Sequence, residues 1–130
     1  MIADTSFIID VMDGHADAVA KLQELATRGE MLKITTPTIF ELWSGIVRSS
    51  KPSHEKEKVL AVINSQPFLV LDHESAEGAG RIDGVLARKG LSIEPEDCMI
   101  AGIARVCNET ILTHNQKHFR RIHGIPIEDY

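Results

Sequence analysis

Five short apolar runs punctuate the chain, and none of them alternates polar with apolar residues. They are residues 2–4, the LKITT run at 32–36, the FLVLD run at 68–72, the TILT run at 110–113 and a last stretch at 125–127. Short strands of this kind are buried on both faces, as in a parallel sheet covered by helices. The segments between them have helical character. Residues 16–28 carry Val19, Leu22, Leu25 and Ala26 on one stripe, with Gly29 as a stop. The strongest stripe is Ile39, Leu42, Trp43, Ile46 and Val47, which predicts a helix over 38–50. Further helices are expected at 6–12, 53–65, 74–89, 95–107 and 115–121, with Pro95 at a first helical position. Strands alternating with helices predict an α/β fold: a three-layer sandwich whose short parallel sheet of four to five strands is flanked by helices. In such sheets ligands gather at the carboxyl ends of the strands.

A chain of 130 residues is expected to form a single domain over residues 1–130. No apolar run approaches the ~18 residues of a membrane span, and the first residues lack the basic segment of a secretion signal. Cys98 and Cys107 lie nine apart within one predicted helix, without disulfide or metal spacing. Together these point to the cytoplasm. With 14 basic and 19 acidic side chains the net charge is −5. This balance argues against gripping nucleic acid by bulk electrostatics, and any such function needs a local basic patch or a bound cation. Arg81, Arg88, Lys89, Arg120 and Arg121 are the basic candidates, each otherwise a solvated surface residue.

Three acids fall at the functional edge of the expected sheet. Asp4 ends the first strand, Glu41 opens the helix after the second, and Asp97 opens the helix before the TILT strand. Each has an ordinary alternative. Asp4-Thr5-Ser6 suits a helix cap, Thr38 to Glu41 suits a capping box, and Asp97 suits a helix dipole. Asp97 shares a helix face with Ala101 and Ala104, so it is expected to point inward. Crowded inward carboxylates persist as anions only around a positive charge, and oxygen ligands select Mg²⁺ or Mn²⁺. The chain has no dinucleotide fingerprint, no phosphate-binding P-loop and no nucleophile elbow. His114 and His118 have no third ligand spaced for zinc, and Cys98 reads as core.

Asp4-Thr5-Ser6, the segment Pro37 to Glu41, the run Glu96 to Ala104 and the run Thr113 to Phe119 resemble the PIN-domain family. The likeness is nearest to the VapC toxins of prokaryotic toxin–antitoxin pairs and covers essentially the whole chain. It implies a Mg²⁺- or Mn²⁺-dependent endoribonuclease that acts on RNA, forms a homodimer and is neutralised by a VapB-like antitoxin. Asp4, Glu41 and Asp97 match the family's first three acids, which act as catalytic residues and metal ligands. The fourth acid's place is taken by His118, which gives a hard cation no anionic oxygen. One metal or two both stay open, with Asn115, Thr113 and Glu94 as auxiliary oxygen sources and Asn115 alternatively a helix cap. The helix pair over 38–65, with Trp43, is the expected antitoxin contact. Two other readings stand beside this one: a PIN-like binding module weakened in catalysis, and a phospho-accepting receiver-like domain.

Overall fold

The strands are only two residues each, and the helices that follow them do most of the packing. The computed structural model describes residues 1–130. In chain order the elements are β1 (Ile2–Ala3), α1 (Thr5–Met12), α2 (Ala16–Thr27), β2 (Ile34–Thr35), α3 (Thr36–Arg48) and α4 (Pro52–Ser65). Then follow β3 (Phe68–Leu69), α5 (His73–Arg88), α6 (Pro95–Cys107), β4 (Ile111–Leu112), α7 (Gln116–Phe119) and β5 (Ile127–Glu128).

All pairings are parallel. Ile2 and Ala3 of β1 lie beside Ile111 and Leu112 of β4, which also pairs with β5, while β2 pairs with β3. A bridge from Ile2 to Lys33 joins the two halves, and the Ala3 amide donates to the Lys33 carbonyl at 2.9 Å. Read across, the order is β3-β2-β1-β4-β5. A receiver domain has the order 2-1-3-4-5, so the receiver-like reading is set aside.

Alternation along β1 sends its two side chains to opposite faces. Ala3 joins Phe7, Leu25, Ile34 and Leu42 in one core, and Ile2 joins Ile82, Ile100, Ile103 and Phe119 in the other. The run at 68–72 departs from the expected fully buried strand. Phe68 and Val70 are exposed, because β3 is an edge strand with one open side.

Gly29 and Gly90 end α2 and α5, both at φ 68°, the left-handed turn that glycine adopts without steric cost. The start of α3 corrects the capping-box expectation for Thr38 and Glu41. Its cap is Thr35, whose Oγ1 accepts from the Thr38 amide at 3.3 Å. This starts the helix at Thr36 and frees Glu41 for another partner. Asp97, Ala101 and Ala104 are all buried on α6, as their spacing requires.

α5 and α6 form an antiparallel hairpin at close approach. A Cβ on Gly102 would fall against the Ser75 carbonyl oxygen and 2.9 Å from the Ala79 amide nitrogen. Both are backbone atoms of a helix and cannot swing aside. Gly102→Ala is therefore expected to destabilise the fold by ~1–3 kcal/mol, the usual range for overpacking. Gly80 meets nothing within 4 Å, so Gly80→Ala should stabilise by ~0.4–1 kcal/mol. Urea denaturation of the two variants checks the opposite signs.

Candidate active site

Asp4 follows β1 directly at the carboxyl edge of the sheet. It is 5% exposed and caps α1, its Oδ1 accepting from the Thr5 amide at 2.7 Å. Its Oδ2 accepts from Thr113 Oγ1 at 2.7 Å and Ser6 Oγ at 3.1 Å. The cap and the inward acid are thus one arrangement. Glu41 lies half-buried on α3, and its Oε1 accepts from Thr5 Oγ1 at 2.7 Å. Thr38 Oγ1 sits between Thr5 Oγ1 at 3.2 Å and Thr35 Oγ1 at 3.0 Å. Asp97, third residue of α6, is tied through Oδ2 to Asn115 Nδ2 at 3.3 Å and His118 Nδ1 at 2.9 Å. The same Nδ1 also lies 2.7 Å from Asn115 Nδ2, so one ring nitrogen faces both an acceptor and a donor, and its tautomer decides which of the two it bonds.

The acids feel one another. Burial raises the Glu41 carboxyl above its ordinary value; the Thr5 bond opposes this, and the charges of Asp4, Asp97 and Glu96 add to it. Burial likewise raises Asp97, the bond from His118 opposes it, and Asp4 and Glu94 push further upward. The three acids share an edge and a field, yet their side chains stand apart. No three His, Cys, Asp or Glu side chains converge on a common metal position. Each acid is held instead by a hydroxyl or amide of its own surroundings.

The donor set fits a hard divalent cation. No Lys or Arg pairs with any of the three acids, and the only ion pair among them is Asp97 with His118. Glu41 Oε2 and Asp97 Oδ1 accept no hydrogen bond from the protein. Anionic oxygens with no lysine or arginine beside them are of the chemical type that Mg²⁺ or Mn²⁺ takes, although the three acids do not converge on one position.

The auxiliary residues divide. Thr113 is fully buried and bonds Asp4. Asn115 occupies the cap position of α7 but makes no capping bond, turning instead to Asp97. Glu94 is exposed and acts on Asp97 only through its charge. Thr5, Thr35 and Thr38 were missed by sequence reasoning as a hydroxyl network, although the motifs at 4–6 and 37–41 contain two of them. His114 bonds Asp129 at 2.8 Å and stacks on Tyr130, so it forms no pair with His118. Cys98 is core, its thiol pushed up to about 11 by burial and then by Asp83.

The description "PIN domain" matches residues 1–125. The chain is 37% identical over 97 residues to the tRNA(fMet)-specific endonuclease VapC of Salmonella typhimurium, covering 75% of this chain and 74% of that one. It is 33% identical over 127 residues to the protein of the same name in Shigella flexneri, covering 98% and 95%. Its backbone is similar to a DNA-bound VapBC crystal structure from Salmonella typhimurium, with TM-score 0.86, 32% identity and coverage of 98% and 96%.

The raised Glu41 carboxyl sets a pH dependence of stability. The folded state binds this proton more tightly than the unfolded chain does, so the contribution is present below the unfolded value, near 4.5, and is lost as pH rises through the folded one. Glu41→Gln keeps an acceptor for Thr5 and removes the charge. Its melting temperature relative to wild type is expected to climb as the pH is taken from acid to neutral, measured without divalent metal.

Proposed function

The chain belongs to the PIN-domain family, and from that premise we propose that it is a metal-dependent endoribonuclease, the toxin of a VapBC-type pair, formed as one PIN-like domain over residues 1–130. The observation that carries the reading is the presence of Asp4, Glu41 and Asp97 at the carboxyl edge with no lysine or arginine paired to any of them. These three would hold Mg²⁺ or Mn²⁺ and act as the catalytic residues. When bound, the cation supplies charge to the phosphodiester and an acidified water for in-line attack.

The chain's own part is to hold the acids ready. Thr5 fixes Glu41, Thr113 and the Thr5 amide fix Asp4, and Asn115 with His118 fix Asp97. Thr113 and Asn115 thus support the ligands, with Glu94 adding negative charge nearby. His118 is not a metal ligand: its Nδ1 faces Asp97, and imidazole suits softer metals than Mg²⁺.

A VapB-like antitoxin is the proposed partner, acting in the cytoplasm on a homodimeric toxin. A cleft between α1, α3 and α4, lined by Met12, Gly45, Ile46 and Val59, opens beside Glu41. An amphipathic antitoxin helix seated there would reach the acids with a basic side chain. On the outer side of α3, Phe40, Trp43 and Val47 are 63%, 39% and 79% exposed, a patch that supports further protein contact.

Asp4→Asn and Asp97→Asn are expected to abolish Mn²⁺-stimulated RNA cleavage and to melt no lower than wild type in EDTA. Mn²⁺ should raise the melting temperature of wild type and leave both variants unmoved. Full cleavage by both variants would remove the catalytic assignment, and cleavage lost with a collapsed fold would return Asp4 to a purely structural cap. His118→Ala should leave Mg²⁺ affinity within a few-fold by calorimetry. Trp43 emission should be partly quenched by acrylamide in the free protein and shielded when antitoxin binds; unchanged quenching in the complex would remove the outer patch of α3 from the contact.

A further inference from the structure

A second concave surface runs along α5, where Arg81, Lys89, Arg105 and Arg121 stand over a floor that includes Ile82 and Ile122. Four of the 14 Lys and Arg side chains of an acidic chain thus line one groove. Two of them are held without being neutralised. Arg105 Nη2 donates to the His123 carbonyl at 2.7 Å, and Arg121 Nη1 donates to the carbonyls of Leu91 and Ser92 at 3.2 and 3.1 Å. A carbonyl orients a guanidinium and leaves its charge and its other N–H groups for an anion. Lys89 has no carboxylate partner, and only Arg81 is paired, with Glu77 at the exposed rim.

The acids do not line this groove, but short stretches of chain link it to them. Arg121 follows His118 by three residues, a backbone span of at most ~11 Å, and His118 bonds Asp97. The carbonyls that hold Arg121 belong to the connection from α5 into α6, whose third residue is Asp97. We propose that this groove binds the phosphate backbone of the RNA substrate on its way to or from the acid cluster, an inference that rests on the nuclease reading above. The two guanidiniums held by carbonyls, Arg105 and Arg121, suit phosphates, which arginine binds in bidentate fashion. An acidic peptide would satisfy the same charges, but only a phosphodiester chain offers the proposed nuclease a bond to cleave at the Asp97 edge.

The test is fluorescence anisotropy of a labelled single-stranded RNA with the full chain in EDTA, where the proposed nuclease does not turn over. Lys89→Glu and Arg105→Glu are compared with Lys51→Glu, an exposed site outside the groove with the same change of charge. Each groove variant should lose about tenfold in affinity, and its dependence of log K on log salt should flatten by ~0.7 for each phosphate that the groove no longer grips. Lys51→Glu should stay within about twofold. Lys89 has no side-chain bond to lose, so its variant remains decisive if Arg105→Glu unfolds. Lys89→Glu binding as Lys51→Glu does, with an unchanged salt slope, would overturn the proposal. So would a labelled poly-glutamate peptide whose binding, but not that of RNA, falls on Lys89→Glu. The two readings fail differently. If the nuclease reading is wrong, wild type shows no Mn²⁺-stimulated cleavage although binding still depends on the groove; if only the groove is wrong, wild type cleaves and Lys89→Glu cleaves with unchanged KM.

Discussion

Buried carboxylates must be hydrogen-bonded or neutralised, and for Asp4 and Glu41 that requirement falls on short hydroxyl side chains. Thr5 and Thr113 reach inward from either side of the sheet edge, Thr5 to Glu41 and Thr113 to Asp4. No buried side-chain polar atom is left without a partner. A lysine or arginine would have satisfied the same acids more strongly, but it would also have cancelled their charge. Threonine orients an acid and leaves it negative. The cluster is consequently strained electrostatically, with Glu41 and Asp97 both raised by burial and by their neighbours. The surrounding fold has to hold it in place, and the tight seating of α6 on α5 at Gly102 fixes the helix that carries Asp97.

His118 shows how this balance is adjusted. At 2.9 Å from Asp97 it opposes the upward push of burial and of Asp4. An acid at the same position would add to the repulsion instead. The imidazole therefore gives up a potential oxygen ligand and relieves part of the crowding around Asp97.

Much of this was legible in the sequence because it depends on local signals. Runs such as TILT, the stripe on residues 39–47, Pro95 and the stop glycines are read within one turn or one strand, and the resulting elements appear in the expected order. The inward direction of Asp97 followed from Ala101 and Ala104 on its own helix. What escaped depends on distant partners. Thr35 rather than Thr38 caps α3, and the Thr38 hydroxyl meets instead that of Thr5, 33 residues before it. The exposure of Phe68 depends on β3 lying at an edge, which an apolar pattern does not reveal. Arg105 looks like any surface arginine until the His123 carbonyl is brought beside it.

The contact between Thr113 and Asp4 spans 109 residues, and β1 finds its partner β4 across the same distance. On the ribosome, Asp4 emerges among the first residues, but its hydroxyl partner and its neighbouring strand are made only near the end. At ~5–20 residues per second, that interval is roughly 5–20 s. Throughout it the nascent chain carries Asp4 but lacks the strand and the threonine that complete the edge. The surroundings of Asp4 are therefore completed only when the last third of the chain is available to close the sheet.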